Sequence, residues 1–126
     1  MSISIAYRRL SLASAVLFGT LCIVLLVRPQ IVFSLFGLES GTSTIVLARR
    51  AAMLFLGLAT VAWVSRDSKP NVARSAISRG MAVCLFALAG LGTVEFVLGG
   101  VSAGVFVAVA TELAFAAAYT LVDRPR

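Results

Sequence analysis

Four apolar runs, at about residues 10–27, 43–64, 81–99 and 103–122, limit what this chain can become. Each approaches the length at which a helix rising about 1.5 Å per residue crosses a hydrocarbon layer of about 30 Å. Of the 126 residues, 60% are hydrophobic, and the mean hydropathy is +1.04, too high for a water-soluble globule of this size. In lipid a spanning segment must satisfy its own backbone amides. The pattern therefore predicts an all-α fold, a single membrane domain over 1–126 built as an integral membrane four-helix bundle.

The second run raises the sharpest question. Between Arg50 and Arg66 lie only 15 residues, too few to cross, so the helix must begin near Ser43. That start draws Arg49 and Arg50 into the membrane, where isolated cations are expensive and need partners. Glu95 and Glu112, on the third and fourth runs, are the available acids. Counted from the helix ends, Arg49 and Arg50 stand roughly 9 Å below the outer surface, Glu95 roughly 6 Å and Glu112 roughly 13 Å. These heights overlap, so Arg50 is expected to turn into the bundle and pair with Glu95, Glu112 or both. Arg49, about 100° away around the helix, is expected to reach outward.

Eleven Lys and Arg stand against five Asp and Glu, a net charge of +6. The basic residues cluster at the ends of apolar runs rather than along a polar face, which fits topology signals and argues against nucleic acid as a partner. By the positive-inside rule the N-terminus with Arg8 and Arg9, the connection 65–80, and the C-terminal Asp123, Arg124, Pro125 and Arg126 are cytoplasmic. The chain is then expected to be a multi-pass membrane protein with both termini cytoplasmic. Tyr7, Trp63 and Tyr119 fall near the inner interface, where amphipathic rings prefer to sit. Arg28, with Arg49 and Arg50, is the exception on the outer side.

The first run follows Arg8 and Arg9 like a signal peptide but ends at Arg28-Pro29 without a small-x-small cleavage pattern, so it reads as a retained helix. Ser11, Ala15 and Gly19 recur on it at four-residue spacing and predict a flat face for close packing. Segment 29–38, too short to span, has Ile31, Val32, Leu35 and Leu38 at helical spacing and is expected to lie in the interface. Thr42, Ser43 or Thr44 is expected to cap the next helix. The glycine-rich stretch 99–104 is a tight turn between the last two spans. Ala110, Ala114 and Ala118 form a second small row there, room for a second subunit or another membrane protein.

The loop residues Arg66, Lys69, Arg74 and Arg79 are placed to meet anionic lipid headgroups. The chain has no His, and Cys22 and Cys84 lie inside different apolar runs, so neither a disulfide nor a metal or haem site is expected. Gly90 and Gly92 lack the strand and turn that a phosphate-binding loop needs. No cofactor and no enzymatic activity are expected.

Pro29, then Phe36-Gly37-Leu38, then Arg50-x-x-x-Leu54-x-Leu56-Gly57 with Trp63 and Arg66, followed by a basic loop and two further spans, resembles the small four-helix bacterial membrane proteins of the DoxX-like superfamily. The resemblance covers about residues 10–122 and implies a four-helix membrane bundle, with no catalytic residues carried over. Function at this level favours an accessory or structural role, packing against itself or a partner membrane protein, with an ion pair of Arg50 with Glu95, Glu112 or both fixing helix register. The alternative is a small transporter or channel subunit that uses Glu112, with Glu95 and Arg50, as an intramembrane proton or ion site.

Overall fold

The computed structural model describes residues 2–124, with side chains from Ile5 onward, so Pro125 and Arg126 of the basic C-terminal end lie outside the described residues. Five helices follow in order: α1 (Ser2–Val27), α2 (Gln30–Phe36), α3 (Thr42–Ser65), α4 (Val72–Val97) and α5 (Val105–Val122). No strand occurs among the described residues. All but α2 are long and apolar enough to cross a membrane, yet most of their apolar residues are not buried within the protein. The remaining apolar surface needs lipid as its solvent, and the fold is that of a multi-pass membrane helical bundle.

Helix α1 packs along α3, α4 packs along α5, and the two pairs meet where α1 faces α5. The buried stripes advance in steps of three and four residues, the spacing that keeps a seam facing one neighbour. On α1 the stripe is Tyr7, Ser11, Ser14, Phe18, Cys22 and Leu25. On α3 it is Ala48, Ala52, Ala59 and Ala62, with Phe55 half-buried between them. Alanine on α3 lets the α1 backbone come near. Of the expected flat row on α1, Ser11 is fully buried and Ala15 packs against the core, whereas a Cβ added at Gly19 would meet nothing within 4 Å.

Helix α4 begins nine residues before the expected start at Met81. Asn71 accounts for this: its side chain accepts the Arg74 backbone N–H at 2.8 Å and starts the helix there. The 26 residues of α4 then reach about 39 Å, longer than the hydrocarbon layer. The expected 65–80 loop shrinks to the short connection 66–71. At the other boundary α3 starts after Gly41, which makes no side-chain cap, so none of Thr42, Ser43 and Thr44 fills that role.

Helix α2 ends at Gly37, whose left-handed backbone (φ 69°) lets the Leu38 N–H bond back to the Phe33 carbonyl at 2.8 Å. Its buried residue is Phe33, which packs into the bundle, while Ile31, Leu35 and Leu38 are exposed. The α4–α5 turn holds the end of α2. Ser102 donates its backbone N–H to the Phe36 carbonyl at 2.7 Å and its hydroxyl to the Leu35 carbonyl at 3.0 Å. Gly104 sits so close to the Leu35 carbonyl that a Cβ would fall onto its oxygen. That contact fixes α2 across one end of the bundle.

Candidate functional site

Glu112 stands in the core stripe of α5, which runs Val105, Val109, Glu112, Ala116 and Tyr119 in steps of three and four. The stripe turns toward the other helices, so the carboxylate is half-buried at the mid-height of the bundle rather than displayed outward. Beside it is a partly open cavity of about 240 Å³. Leu17, Phe18 and Leu21 of α1, Phe55 of α3, which stacks on Phe18, and Leu85 and Leu88 of α4 line it, with Val32, Leu35 and Phe36 of α2. Helix α5 supplies Val107, Ala108, Thr111 and Glu112. The Thr111 hydroxyl is taken up locally, donating to the Val107 carbonyl at 2.9 Å. Glu112 is the one charged group in the lining.

The expected partners of Glu112 are elsewhere. Arg49 and Arg50 are both exposed, and no ion pair joins either of them to Glu95 or Glu112 among the described residues. The stripe of α3 that faces α1 passes through Ala48 and Ala52, and the two arginines between them fall outside it. Glu95 is exposed near the end of α4, where its carbonyl accepts the Gly100 N–H at 2.9 Å and helps end the helix. Arg50, Glu95 and Glu112 thus do not assemble into one site.

At the opposite end of the bundle a polar seam lies inside the core. Tyr119 donates its hydroxyl to Ser14 Oγ at 2.8 Å, and Tyr7 donates to Ser65 Oγ at 3.1 Å. The Arg74 guanidinium lies 4.2 Å from the centre of the Tyr7 ring and donates to the Ser68 carbonyl at 3.3 Å. Arg74 is 4% exposed, so it faces the bundle rather than lipid headgroups. Ser11 and Ser78 carry buried hydroxyls without a hydrogen-bond partner. Tyr7 and Tyr119 are fully buried, and only Trp63 of the three interface aromatics is exposed.

The remaining basic residues of the connection do stand at the surface. Arg66 covers the Trp63 ring at 4.1 Å and shares Asp67 with Arg8, while Lys69 is exposed beside them. Arg79 meets Asp123 at 3.1 Å, and Ser75 donates to the same carboxylate oxygen at 2.9 Å. The four loop cations are therefore split among three places: Arg66 with Lys69, Arg79 beside Asp123 at the C-terminal end of α5, and Arg74 in the core.

The basic charge and turn residues of 65–80 predict a loop there, and that reading hides Arg74 and Ser78 from the seam. A signal for them exists. Stepping back from Leu85 and Met81 by the same three-and-four rule reaches Ser78 and Arg74, and Tyr7 precedes Ser11 by four on α1.

Fold and site together define a four-span membrane bundle with an apolar, single-acid cavity under α2 and a buried polar seam at the other end. Compared with protein-family models, with curated proteins and with solved structures, the chain matches none.

Proposed function

We propose that this chain is a small transporter or channel subunit in which Glu112 is the intramembrane proton or ion site. One observation carries the reading: an acid occupies a core position of α5 and opens into a cavity instead of meeting an arginine. A register-fixing ion pair needs a cation, and Arg50 is turned away. An intramembrane acid without such a partner is a functional candidate. The seam of Tyr119, Ser14, Ser11 and Ser78 supports this reading, because it supplies polar groups in the half of the bundle where transport needs them. In this proposal α2 lies on the outer side of a bacterial inner membrane and both termini are cytoplasmic, on the strength of the basic ends. The DoxX-like relationship belongs to the same proposal and rests on the motif residues alone.

The test is flux in proteoliposomes under an imposed pH or salt gradient, for wild type beside a monodisperse Glu112→Gln variant. Flux above empty vesicles that disappears in the variant is the expected result. Absence of flux from folded wild type under both gradients would remove this reading.

A second reading, the accessory role, is favoured by Ala110 and Ala114, which lie exposed on α5 as a small-residue face with room for another helix. Cross-linking of an Ala114→Cys variant in native membranes tests it. Specific adducts with a second copy or another membrane protein support the role, and uncross-linked monomer opposes it.

A further inference from the structure

We propose that the cavity at Glu112 binds a small lipophilic organic cation, an ammonium bearing alkyl or aryl groups, taken from the membrane. This rests on the reading of Glu112 as the site of action and names the class of molecule it takes. The lining combines one carboxylate with three phenylalanines, Phe18, Phe36 and Phe55, and otherwise aliphatic walls. Phe18 and Phe55 are stacked with ring centres 5.9 Å apart. An ammonium beside aromatic rings is attracted by their negative faces, and its charge answers the carboxylate.

Other occupants fit the chemistry less well. A bare inorganic cation needs several oxygen ligands, typically about six for the hard divalent ions. Here the lining offers the two oxygens of one carboxylate and the Thr111 hydroxyl oxygen, about half that number. An anion would meet the acid and no cation. A purely apolar chain would fill the walls but leave the carboxylate unanswered. The space, about 240 Å³, exceeds the roughly 150 Å³ of an engineered apolar cavity in another protein that takes benzene. One substituted ring with its ammonium group is of suitable size. Ser102 and Gly104 hold α2 over the end of the cavity, so the ligand enters from the side, through the membrane.

The test is equilibrium binding of radiolabelled benzyltrimethylammonium to the full-length protein in phosphatidylcholine nanodiscs. Its uncharged carbon isostere, neopentylbenzene, serves as competitor. Wild type binds saturably, and neopentylbenzene competes at least about tenfold more weakly than the unlabelled cation. Glu112→Gln weakens cation binding at least about tenfold. Ala108→Phe, which keeps the acid and fills the cavity, does the same and carries the test if Glu112→Gln does not fold. Unaltered binding in whichever of these variants folds, or no saturable binding by folded wild type, overturns the proposal, as does equal competition by the neutral isostere. Failure here is separable from failure of the transport reading. Proton flux without cation binding overturns the ligand class alone, whereas cation binding without any flux, including flux of the cation itself, overturns transport and leaves the site.

Discussion

The phenolic hydroxyl of Tyr119 donates to Ser14 Oγ at 2.8 Å and ties α5 to α1 across 105 residues of sequence. Ser14 in turn donates to the Leu10 carbonyl at 2.9 Å, so its one proton is used within α1 and its oxygen is free to accept. Both side chains are buried, at the seam where the two helix pairs meet. Tyr119→Phe removes this link while keeping the ring. Hydrogen bonds between membrane helices contribute about 0.6 kcal/mol on average and up to about 1.7. A loss near 1 kcal/mol is expected, read as a lower midpoint of thermal unfolding in detergent. An unchanged midpoint would show that the bond is not coupled to stability.

Arg74 and Arg79 lie on one helix and in one basic segment, but their surroundings differ. Arg74 is buried against the Tyr7 ring, whereas the Arg79 side chain is 76% exposed beside Asp123. A lysine keeps the charge and loses the planar guanidinium that stacks on an aromatic ring. Arg74→Lys is expected to lower stability by about 1–2 kcal/mol. Arg79→Lys is expected to change it by less than about 0.5 kcal/mol, because exposed ion pairs contribute little. Denaturant titration of the two variants decides the matter, and equal effects would contradict the burial of Arg74.

Gly104 provides the close approach between the α4–α5 turn and the end of α2. Gly104→Ala pushes its methyl onto the Leu35 carbonyl oxygen and separates the two segments. Overpacking of this kind costs about 1–3 kcal/mol. Gly90→Ala meets nothing within 4 Å and is expected to leave stability unchanged or slightly raised. The two alanine variants, compared by thermal unfolding and by protease cleavage in the 38–41 loop, separate a packing requirement from a general need for glycine.

Orientation in the membrane is tested by cysteine labelling in a background with Cys22 and Cys84 replaced by serine. A cysteine in place of exposed Ser40, between α2 and α3, is expected to react with a membrane-impermeant maleimide in intact cells. One in place of exposed Lys69, between α3 and α4, is expected to react only after permeabilisation. The reverse pattern would invert the topology and place the Glu112 cavity on the cytoplasmic side.

The four apolar runs were legible because a spanning helix has nowhere else to put its backbone polar groups, and the observed helices contain nearly all of each run. Asn71 shows where such reading stops short. The basic stretch 72–80 joins the expected loop by its charges and its closing glycine, yet one cap and an inward stripe through Arg74 and Ser78 make it helix. A composition average cannot see which side of a helix its polar residues occupy.

Length and hydropathy are properties of the chain taken alone, and they determined the four spanning helices and the place of Glu112 within the last of them. Pairing is not such a property. Arg50 and Glu112 overlap in expected depth, but depth is one coordinate, and contact also requires neighbouring helices and a shared direction around each axis. Helix α3 lies against α1 while α5 lies against α4, so Arg50 is turned away from the acid. The same arrangement joined Tyr7 to Arg74 and Ser65, and left beside Glu112 a cavity under α2 where an ion pair was expected.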